Sequence, residues 1–212
     1  MVYKLPLAKI LKGRILKIAE FQDLIIIELC KRFDFILRGG TAIWRIYGGK
    51  RFSYDIDIYY NNPEEIANYF STSRTFKILK SKLTSSKILY LKFGNEVVTE
   101  LEVSPFSYGI KIVEADFWLV EGGSIVVKAL APENLLIEKI GAFISRRKSR
   151  DLYDIYYLLD FCEKEKIKPF LKELLPLLKN EPKDFNMLSE LIILGNSPSF
   201  HTIVEKVSRY AK

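Results

Sequence analysis

The sequence has 212 residues, of which 49% are hydrophobic and 28% charged, and it carries a net charge of +7. This composition is that of a globular protein with a core, large enough for one domain or two small ones, and it excludes a disordered chain. No apolar stretch reaches the roughly 18 residues of a membrane span, and the N-terminus lacks the apolar region of a signal peptide. We therefore expect a cytoplasmic protein without membrane contact.

Histidine and cysteine are too few for several common kinds of site. The chain has one histidine, His201, and two distant cysteines, Cys30 and Cys162, each in an apolar context that predicts a buried free thiol. These numbers exclude the usual zinc clusters and disfavour catalysis by cysteine–histidine or serine–histidine–aspartate arrangements. The chemistry must come from carboxylates, lysine, arginine or the backbone.

The first predicted elements are one or two helices over residues 5–33, followed by a buried strand that ends at Arg38. Gly39 and Gly40 then allow a sharp turn and a close approach to a ligand, because neither carries a Cβ. Thr41 is predicted to cap a helix from Ala42 to Tyr47, whose free backbone N–H groups favour an anion.

A pair of aspartates follows in a strand-like run. Asp55 and Asp57 are two residues apart, so they point to one face of the strand while Ile56 and Ile58 enter the core. Carboxylates placed together attract a divalent cation, and oxygen ligands favour Mg²⁺ or Mn²⁺, with substrate phosphates completing the shell. A phosphate-binding turn beside such a pair predicts a nucleotidyl-transfer centre. The alternative is a plain turn and two solvated acids.

This stretch resembles the nucleotidyltransferase family of the abortive-infection toxin AbiEii, a branch of the polymerase-β-like superfamily. The residues that match its first signature are Gly39, Gly40, Thr41, Ala42, Arg51, Ser53, Asp55 and Asp57. The resemblance implies a nucleoside triphosphate substrate.

Strands dominate the next part of the chain. A helix is predicted from Pro63, and three strands between residues 74 and 103. The third strand places Glu100 and Glu102 on one face. Superfamily enzymes complete their metal site with a carboxylate on such a strand, usually an aspartate, which makes Glu102 the candidate. Glu100 in that role, or two solvent-facing glutamates without a ligand role, stay open alternatives.

Two further strands precede a change to helices at Pro132. The prediction is therefore an α/β (α+β) fold of the polymerase-β-like type, a mixed sheet flanked by helices in residues 1–131. Residues 132–212 are predicted to form a helical domain that completes the active-site cleft.

A second informative block spans residues 132–160. It predicts two helices around a basic hinge, and the second helix places Asp151 and Asp154 in register with its apolar face. Buried carboxylates need cationic partners, and Lys139 and Arg150 are the nearest. The basic hinge consists of Arg146, Arg147, Lys148 and Arg150.

This block extends the family resemblance. The residues that match the second AbiEii signature are Glu138, Lys139, Ala142, Arg146 or Arg147, Arg150, Asp151, Leu152, Tyr153 and Asp154. The resemblance implies that Lys139 contacts nucleotide phosphates and that Asp151 is required for activity. The alternative is a surface lysine and an ordinary acid at a helix N-terminus.

The sequence thus predicts a nucleotidyltransferase that acts as the toxin of a toxin–antitoxin or abortive-infection system. Asp55 and Asp57, with Glu102, are expected to hold Mg²⁺ or Mn²⁺, and Gly39, Gly40 and Thr41 the triphosphate. Arg51 and Lys139 are expected to neutralise phosphate charge, and Ser53 to position a phosphate or fix the loop. RNA is a candidate acceptor, contacted by the basic hinge, and a cognate antitoxin a candidate partner. A small-molecule acceptor, a non-catalytic nucleic-acid-binding protein and a relative that acts through protein contacts remain alternatives.

Overall fold

The computed structural model describes residues 6–94, 96–106 and 109–212. The helices in these ranges are α1 (Leu7–Ile10), α2 (Gly13–Cys30), α3 (Gly39–Arg45), α4 (Pro63–Ser71), α5 (Pro132–Arg146), α6 (Ser149–Leu158), α7 (Lys164–Leu174), α8 (Leu188–Leu191) and α9 (Phe200–Ala211). The strands are β1 (Ile36–Arg38), β2 (Asp55–Tyr59), β3 (Ile78–Leu83), β4 (Leu89–Gly94), β5 (Val98–Ser104), β6 (Ile112–Trp118) and β7 (Ser124–Leu130).

The described strands form one mixed sheet in the order β3-β4-β5-β2-β1-β7-β6. β2 is parallel to β5 and β1 is parallel to β7, while the other neighbours are antiparallel. The predicted mixed α/β fold is confirmed. After β2 the chain passes through α4 and the β3–β4 pair before β5 returns to lie beside β2. In the strand order of this sheet, β2 is the central strand.

The chain divides into two compact units. The first takes the described residues up to Gly48 together with Ser53–Leu130, and the second takes Gly49–Phe52 with Ala131–Lys212. The four-residue segment Gly49–Phe52 is therefore packed with the C-terminal helices, whereas the sequence predicts that it belongs with the strands around it.

The first unit is held by an apolar core, and a buried ion pair joins α2 to α3. Phe70 on α4 packs edge-on against Phe93 of β4, with ring centroids 4.9 Å apart. Asp23 on α2 pairs with Arg45 at the end of α3 and also accepts a hydrogen bond from the Val120 N–H at 2.7 Å. Burial raises the pKa of the Asp23 carboxyl although Arg45 acts in the opposite direction. This pair fixes α3, and therefore the turn at its N-terminus, against α2.

The second unit contains the helices predicted from Pro132 onward, and the two around the basic hinge are confirmed as α5 and α6. On α5, Leu136, Ile140 and Phe143 are buried, whereas Ile144 is 43% exposed. The thiols are free, but the prediction that both are buried was wrong: Cys30 is exposed at the end of α2, and Cys162 is half-buried. None of the helices within the described ranges is long and apolar enough to cross a membrane.

Candidate active site

The two aspartates of β2 lie on one face of the sheet, as the two-residue spacing predicts. Burial alternates along the strand, with Ile56 and Ile58 fully buried and Asp55 and Asp57 half-buried. In the parallel register with β5, Asp55 is opposite Glu100 and Asp57 is opposite Glu102. Residues that pair directly across neighbouring strands share a face. Four carboxylates thus occupy adjacent positions, and we call Asp55, Asp57, Glu100 and Glu102 the carboxylate face.

The turn at Gly39 lies against the carboxylate face. Gly39 has a φ of +69°, which favours glycine, and a Cβ added there would lie 2.8 Å from the Cβ of Asp57. That overlap cannot be relieved by rotating the Asp57 side chain, because the Asp57 Cβ does not move in the rotation. The backbone of the turn and the side chain of Asp57 are therefore in close contact.

Thr41 has a different role from the predicted helix cap. Helix α3 begins at Gly39, three residues earlier than expected, and it has no side-chain cap. The Thr41 hydroxyl instead donates to the backbone carbonyl of Asp55. Thr41 is buried and acts on the position of Asp55, so the cap prediction was wrong.

Two residues that the sequence analysis did not identify hold the chain where it enters β2. Gln22 Nε2 donates to the carbonyls of Ser53 at 2.9 Å and of Tyr54 at 3.0 Å, and Thr99 donates to the Tyr54 carbonyl at 2.7 Å. With Thr41, three side chains bind three successive carbonyls. Ser53 itself is buried. Gln22 is the only glutamine of the chain, yet nothing in its helical sequence context indicates these long-range contacts.

Glu102 is engaged by an arginine that the sequence analysis assigned only as the end of a strand. Arg38 donates to Glu102 Oε1 at 2.5 Å and to Ser104 Oγ at 3.2 Å, and its guanidinium lies 4.5 Å from the centre of the Tyr59 ring. Glu100 is paired with Lys92 at 2.8 Å. Both glutamates of the carboxylate face therefore have cationic partners.

The carboxylate face suits Mg²⁺ or Mn²⁺ in its ligand chemistry, since Asp55 and Asp57 supply oxygen ligands side by side. Within the described part of the chain, however, no three histidine, cysteine, aspartate or glutamate side chains form a group able to hold a metal ion. The residues fit a metal that two protein carboxylates share with substrate phosphates.

The remaining predicted site residues lie in the second unit, in a series of alternating charges that is buried except at Arg146, whose side chain is 44% exposed. Arg51 makes a two-point ion pair with Asp154, both bonds 2.8 Å long. Lys139 Nζ is 2.8 Å from Asp154 and 3.8 Å from Asp151. Arg146 makes a two-point pair with Asp151 at 2.7 Å. We call these five residues the charge network.

The charge network confirms that the buried carboxylates have cationic partners, with one correction. Lys139 is a partner as predicted, but Arg146 fills the place expected for Arg150. Burial alone would raise the pKa of Asp154, and Arg51 and Lys139 more than offset it and lower the pKa to about 2. Arg51 is only 5% exposed and donates its third bond to the Phe52 carbonyl, which differs from the phosphate-binding role that the sequence predicts.

The segment that carries Arg51 is also held by its backbone. The Phe52 N–H donates to the Leu191 carbonyl and the Ile193 N–H to the Lys50 carbonyl, each at 2.8 Å. Arg51 and Ile192 thus pair as an isolated antiparallel bridge. The residues directly before Ser53 are anchored in the second unit by both side chain and backbone.

The charged side chains of the basic hinge make more contacts within the protein than predicted. Arg146 belongs to the charge network, and Arg147 donates to the Asn180 carbonyl at 3.3 Å and packs over the Phe143 ring. Lys148 lies 3.7 Å from Asp184. Three of the four charges assigned to an RNA-binding edge thus have partners inside the second unit.

Comparison with known proteins agrees with the sequence motifs. The family model described as "Nucleotidyl transferase AbiEii toxin, Type IV TA system" matches residues 91–192, which confirms the resemblance. The matched region contains Glu102 and the second signature block, from Glu138 to Asp154, and begins after the first signature block. No curated protein gives a significant match to the chain.

Three solved structures share the fold. JHP933 from Helicobacter pylori has a TM-score of 0.64 at 18% identity, over 95% of this chain and 91% of that one. A candidate nucleotidyltransferase from H. pylori has a TM-score of 0.58, also at 18% identity, over 95% and 94%. The antibiotic-resistance factor ANT(2'')-Ia has a TM-score of 0.54 at 12% identity, over 74% and 90%.

Proposed function

We propose, with the nucleotidyl transferase AbiEii match over residues 91–192 as the premise, that this protein transfers a nucleotidyl group from a nucleoside triphosphate to an acceptor. The observation that carries the proposal is the close contact of the Gly39 turn with Asp57, beside Asp55 on the same face. A backbone turn at a helix N-terminus suits phosphate, and two adjacent carboxylates suit the metal that accompanies it.

The two aspartates and the Gly39 turn have separate roles in the proposed reaction. Asp55 and Asp57 hold Mg²⁺ or Mn²⁺, which when bound withdraws charge from the phosphates. The Gly39–Thr41 turn holds the triphosphate. The acceptor hydroxyl forms a bond to the α-phosphorus as the bond to pyrophosphate breaks, and the hydroxyl proton is lost to a carboxylate or to water.

The charge network contributes to this reaction by stabilising the structure. Arg51, Lys139 and Asp151 are occupied by one another and by Asp154 and Arg146, so they stabilise the segment that leads into Ser53 and β2. Direct contact of Lys139 with nucleotide phosphates stays a prediction from the family resemblance.

The position of the transferred label tests the class of reaction. Purified protein is incubated with Mg²⁺, total cellular RNA and triphosphates that are labelled on either the α- or the γ-phosphate. Nucleotidyl transfer places the α-label on the acceptor and releases the γ-label in pyrophosphate. Transfer of the γ-label to the acceptor, or hydrolysis without any transfer, contradicts the proposal.

RNA is the acceptor that the surface of the first unit favours. Across the sheet, Asp57 is followed in register by Glu102, Tyr90 and Lys82, and Asp55 by Glu100, Lys92 and Lys80. The carboxylate face thus continues into exposed lysines and an aromatic ring, the side chains that bind the backbone and bases of single strands. A small acceptor would not need this extension.

We further propose that the transfer is toxic to the cell and is controlled by a cognate antitoxin, in keeping with the family description. Expression of the parent should arrest growth, whereas expression of Asp57→Asn at the same level should not. If the two proteins are equally toxic, the toxicity does not arise from the proposed nucleotidyl transfer.

A further inference from the structure

Arg38 makes the contacts from which we draw a further inference. Its guanidinium binds Glu102 Oε1, and the Ser104 hydroxyl donates to the same oxygen at 3.1 Å. One carboxylate oxygen of Glu102 thus accepts two hydrogen bonds, one of them from a charged group. This oxygen already accepts a strong, charge-assisted bond from Arg38, so a metal ion at Glu102 has to compete with the guanidinium for the carboxylate.

The position of Arg38 is fixed from several sides. The ring of Tyr59 lies against the guanidinium, the Ser104 hydroxyl accepts from it, and the Arg38 side chain is 16% exposed. Its backbone is opposite Asp57 in the antiparallel register of β1 and β2. A fixed positive charge is therefore bonded to the third carboxylate that a metal would recruit.

Arg38 also directly precedes the Gly39 turn, where the proposed function places the triphosphate. Arginine binds phosphate oxygens as readily as it binds a carboxylate, because both match its planar set of donors. A triphosphate at the turn would offer Arg38 a competing partner of higher charge.

We propose that Arg38 masks Glu102 as a metal ligand until a triphosphate binds, and that the triphosphate then takes Arg38 and releases Glu102 to the metal. The inference rests on the proposed function. In the free protein the metal is held by Asp55 and Asp57 alone, and Glu102 contributes only in the substrate complex. The device prevents tight metal binding without substrate.

A double-mutant cycle measured by Mn²⁺ binding tests this directly. Mn²⁺ is titrated into the parent, Arg38→Gln, Glu102→Gln and the double variant without nucleotide, and free Mn²⁺ is counted by its electron paramagnetic resonance signal. Arg38→Gln should tighten binding by about tenfold, the scale on which groups bonded to metal ligands act. Glu102→Gln should change little in the parent and should remove the gain in the Arg38→Gln background.

Two controls accompany the cycle. Lys128→Gln removes one positive charge from the same unit, at the ion pair with Asp34, and should leave Mn²⁺ affinity unchanged. If Arg38→Gln does not fold, the parent and Glu102→Gln are compared with a non-hydrolysable triphosphate. Glu102→Gln should then weaken Mn²⁺ binding only when the triphosphate is present.

The outcomes separate this inference from the proposed function. Unchanged Mn²⁺ affinity in Arg38→Gln, or an equal effect of Glu102→Gln in both backgrounds, overturns the masking role even if nucleotidyl transfer is found. If Arg38→Gln tightens Mn²⁺ binding and Glu102→Gln removes that gain, but the protein transfers no nucleotide, the masking role is supported and the proposed reaction is refuted.

Discussion

Gly39 is the residue at which the predicted turn and the predicted metal site meet. Its positive φ disfavours any side chain, and a Cβ would overlap Asp57. Gly123 has a similar φ of +75°, and nothing lies within 4 Å of a Cβ added there. An alanine at Gly123 therefore measures the free-energy cost of the positive φ without any steric overlap.

We predict that Gly39→Ala abolishes nucleotidyl transfer and destabilises the protein more than Gly123→Ala, which should cost about 1 kcal/mol. Activity and denaturant unfolding of the two variants provide the measurement. Equal stability loss together with normal transfer in Gly39→Ala would show that Asp57 is not confined by the turn.

Asp154 is the centre of the charge network, since it pairs with both Arg51 and Lys139. Asp154→Asn leaves two buried cations without their main partner, and we expect a loss of about 3–5 kcal/mol in unfolding free energy. Asp160→Asn removes a surface carboxylate paired with Lys206 and should cost about 1 kcal/mol or less. Similar unfolding curves for both variants would contradict this assignment.

The pKa of Asp154 predicts how this stability depends on pH. Its pKa falls from 3.8 to about 2 on folding, so its contribution is complete above the unfolded value and is lost as the pH falls toward 2. The stability advantage of the parent over Asp154→Asn should therefore shrink by about 2 kcal/mol between pH 5 and pH 2. An advantage that is constant over this range would show that the carboxylate is not stabilised by its partners.

The exposed edge of the sheet at β3, next to the carboxylate face, is the element that we propose for RNA binding in place of the basic hinge. Replacing Arg146, Arg147 and Lys148 would break the Asp151 pair, so lost RNA binding there could reflect unfolding. Lys80 and Lys82 on β3 are exposed, and their removal leaves the core intact.

We predict that Lys80→Gln/Lys82→Gln weakens binding of single-stranded RNA and reduces the slope of log K against log salt by about 1.4, for two phosphate contacts. Lys164→Gln/Lys172→Gln makes the same charge change on α7 and should leave the slope unchanged. Triphosphate binding should be the same in both variants. If the β3 variant binds RNA like the parent, the acceptor is small or is bound elsewhere.

The strand β2 shows which parts of a site local sequence can predict. The shared face of Asp55 and Asp57 follows from a two-residue period and was predicted correctly. The positions of Gln22 and Thr99, which bind the carbonyls before Asp55, depend on pairing across many residues and leave no local signal. Arg51 matched a signature, but its two-point pair with Asp154 spans 103 positions, so its role could not be read from spacing.

At the scale of the whole molecule, the α/β class and the helical C-terminal part follow from periodicity that switches from two to near four residues at Pro132. The strand order does not, because β2 pairs with β5 and β1 with β7 through long crossovers. The packing of Gly49–Phe52 with the C-terminal helices could not be predicted either, because it also depends on contacts between residues that are distant in the sequence. Its partners, Leu191 and Ile193, lie about 140 positions away, where the sequence carries no recognised motif.

The ligand count of the protein as a whole predicts its response to metal. With two half-buried aspartates and both neighbouring glutamates in ion pairs, the free protein offers Mg²⁺ too few ligands for an octahedral shell. Calorimetry should show weak Mg²⁺ binding that tightens when a non-hydrolysable triphosphate is present. Tight binding to the free protein would contradict this arrangement.

The proposed function requires that nucleotidyl transfer takes place at Asp55 and Asp57. Each is replaced by asparagine, which keeps the shape of the side chain and removes one of two mutually repelling charges, so folding should be intact or slightly more stable. Transfer from an α-labelled triphosphate is then measured with equal amounts of parent and variant, after thermal unfolding has shown that all three are folded. We predict that both variants lose transfer completely. Near-normal transfer by either folded variant would contradict it.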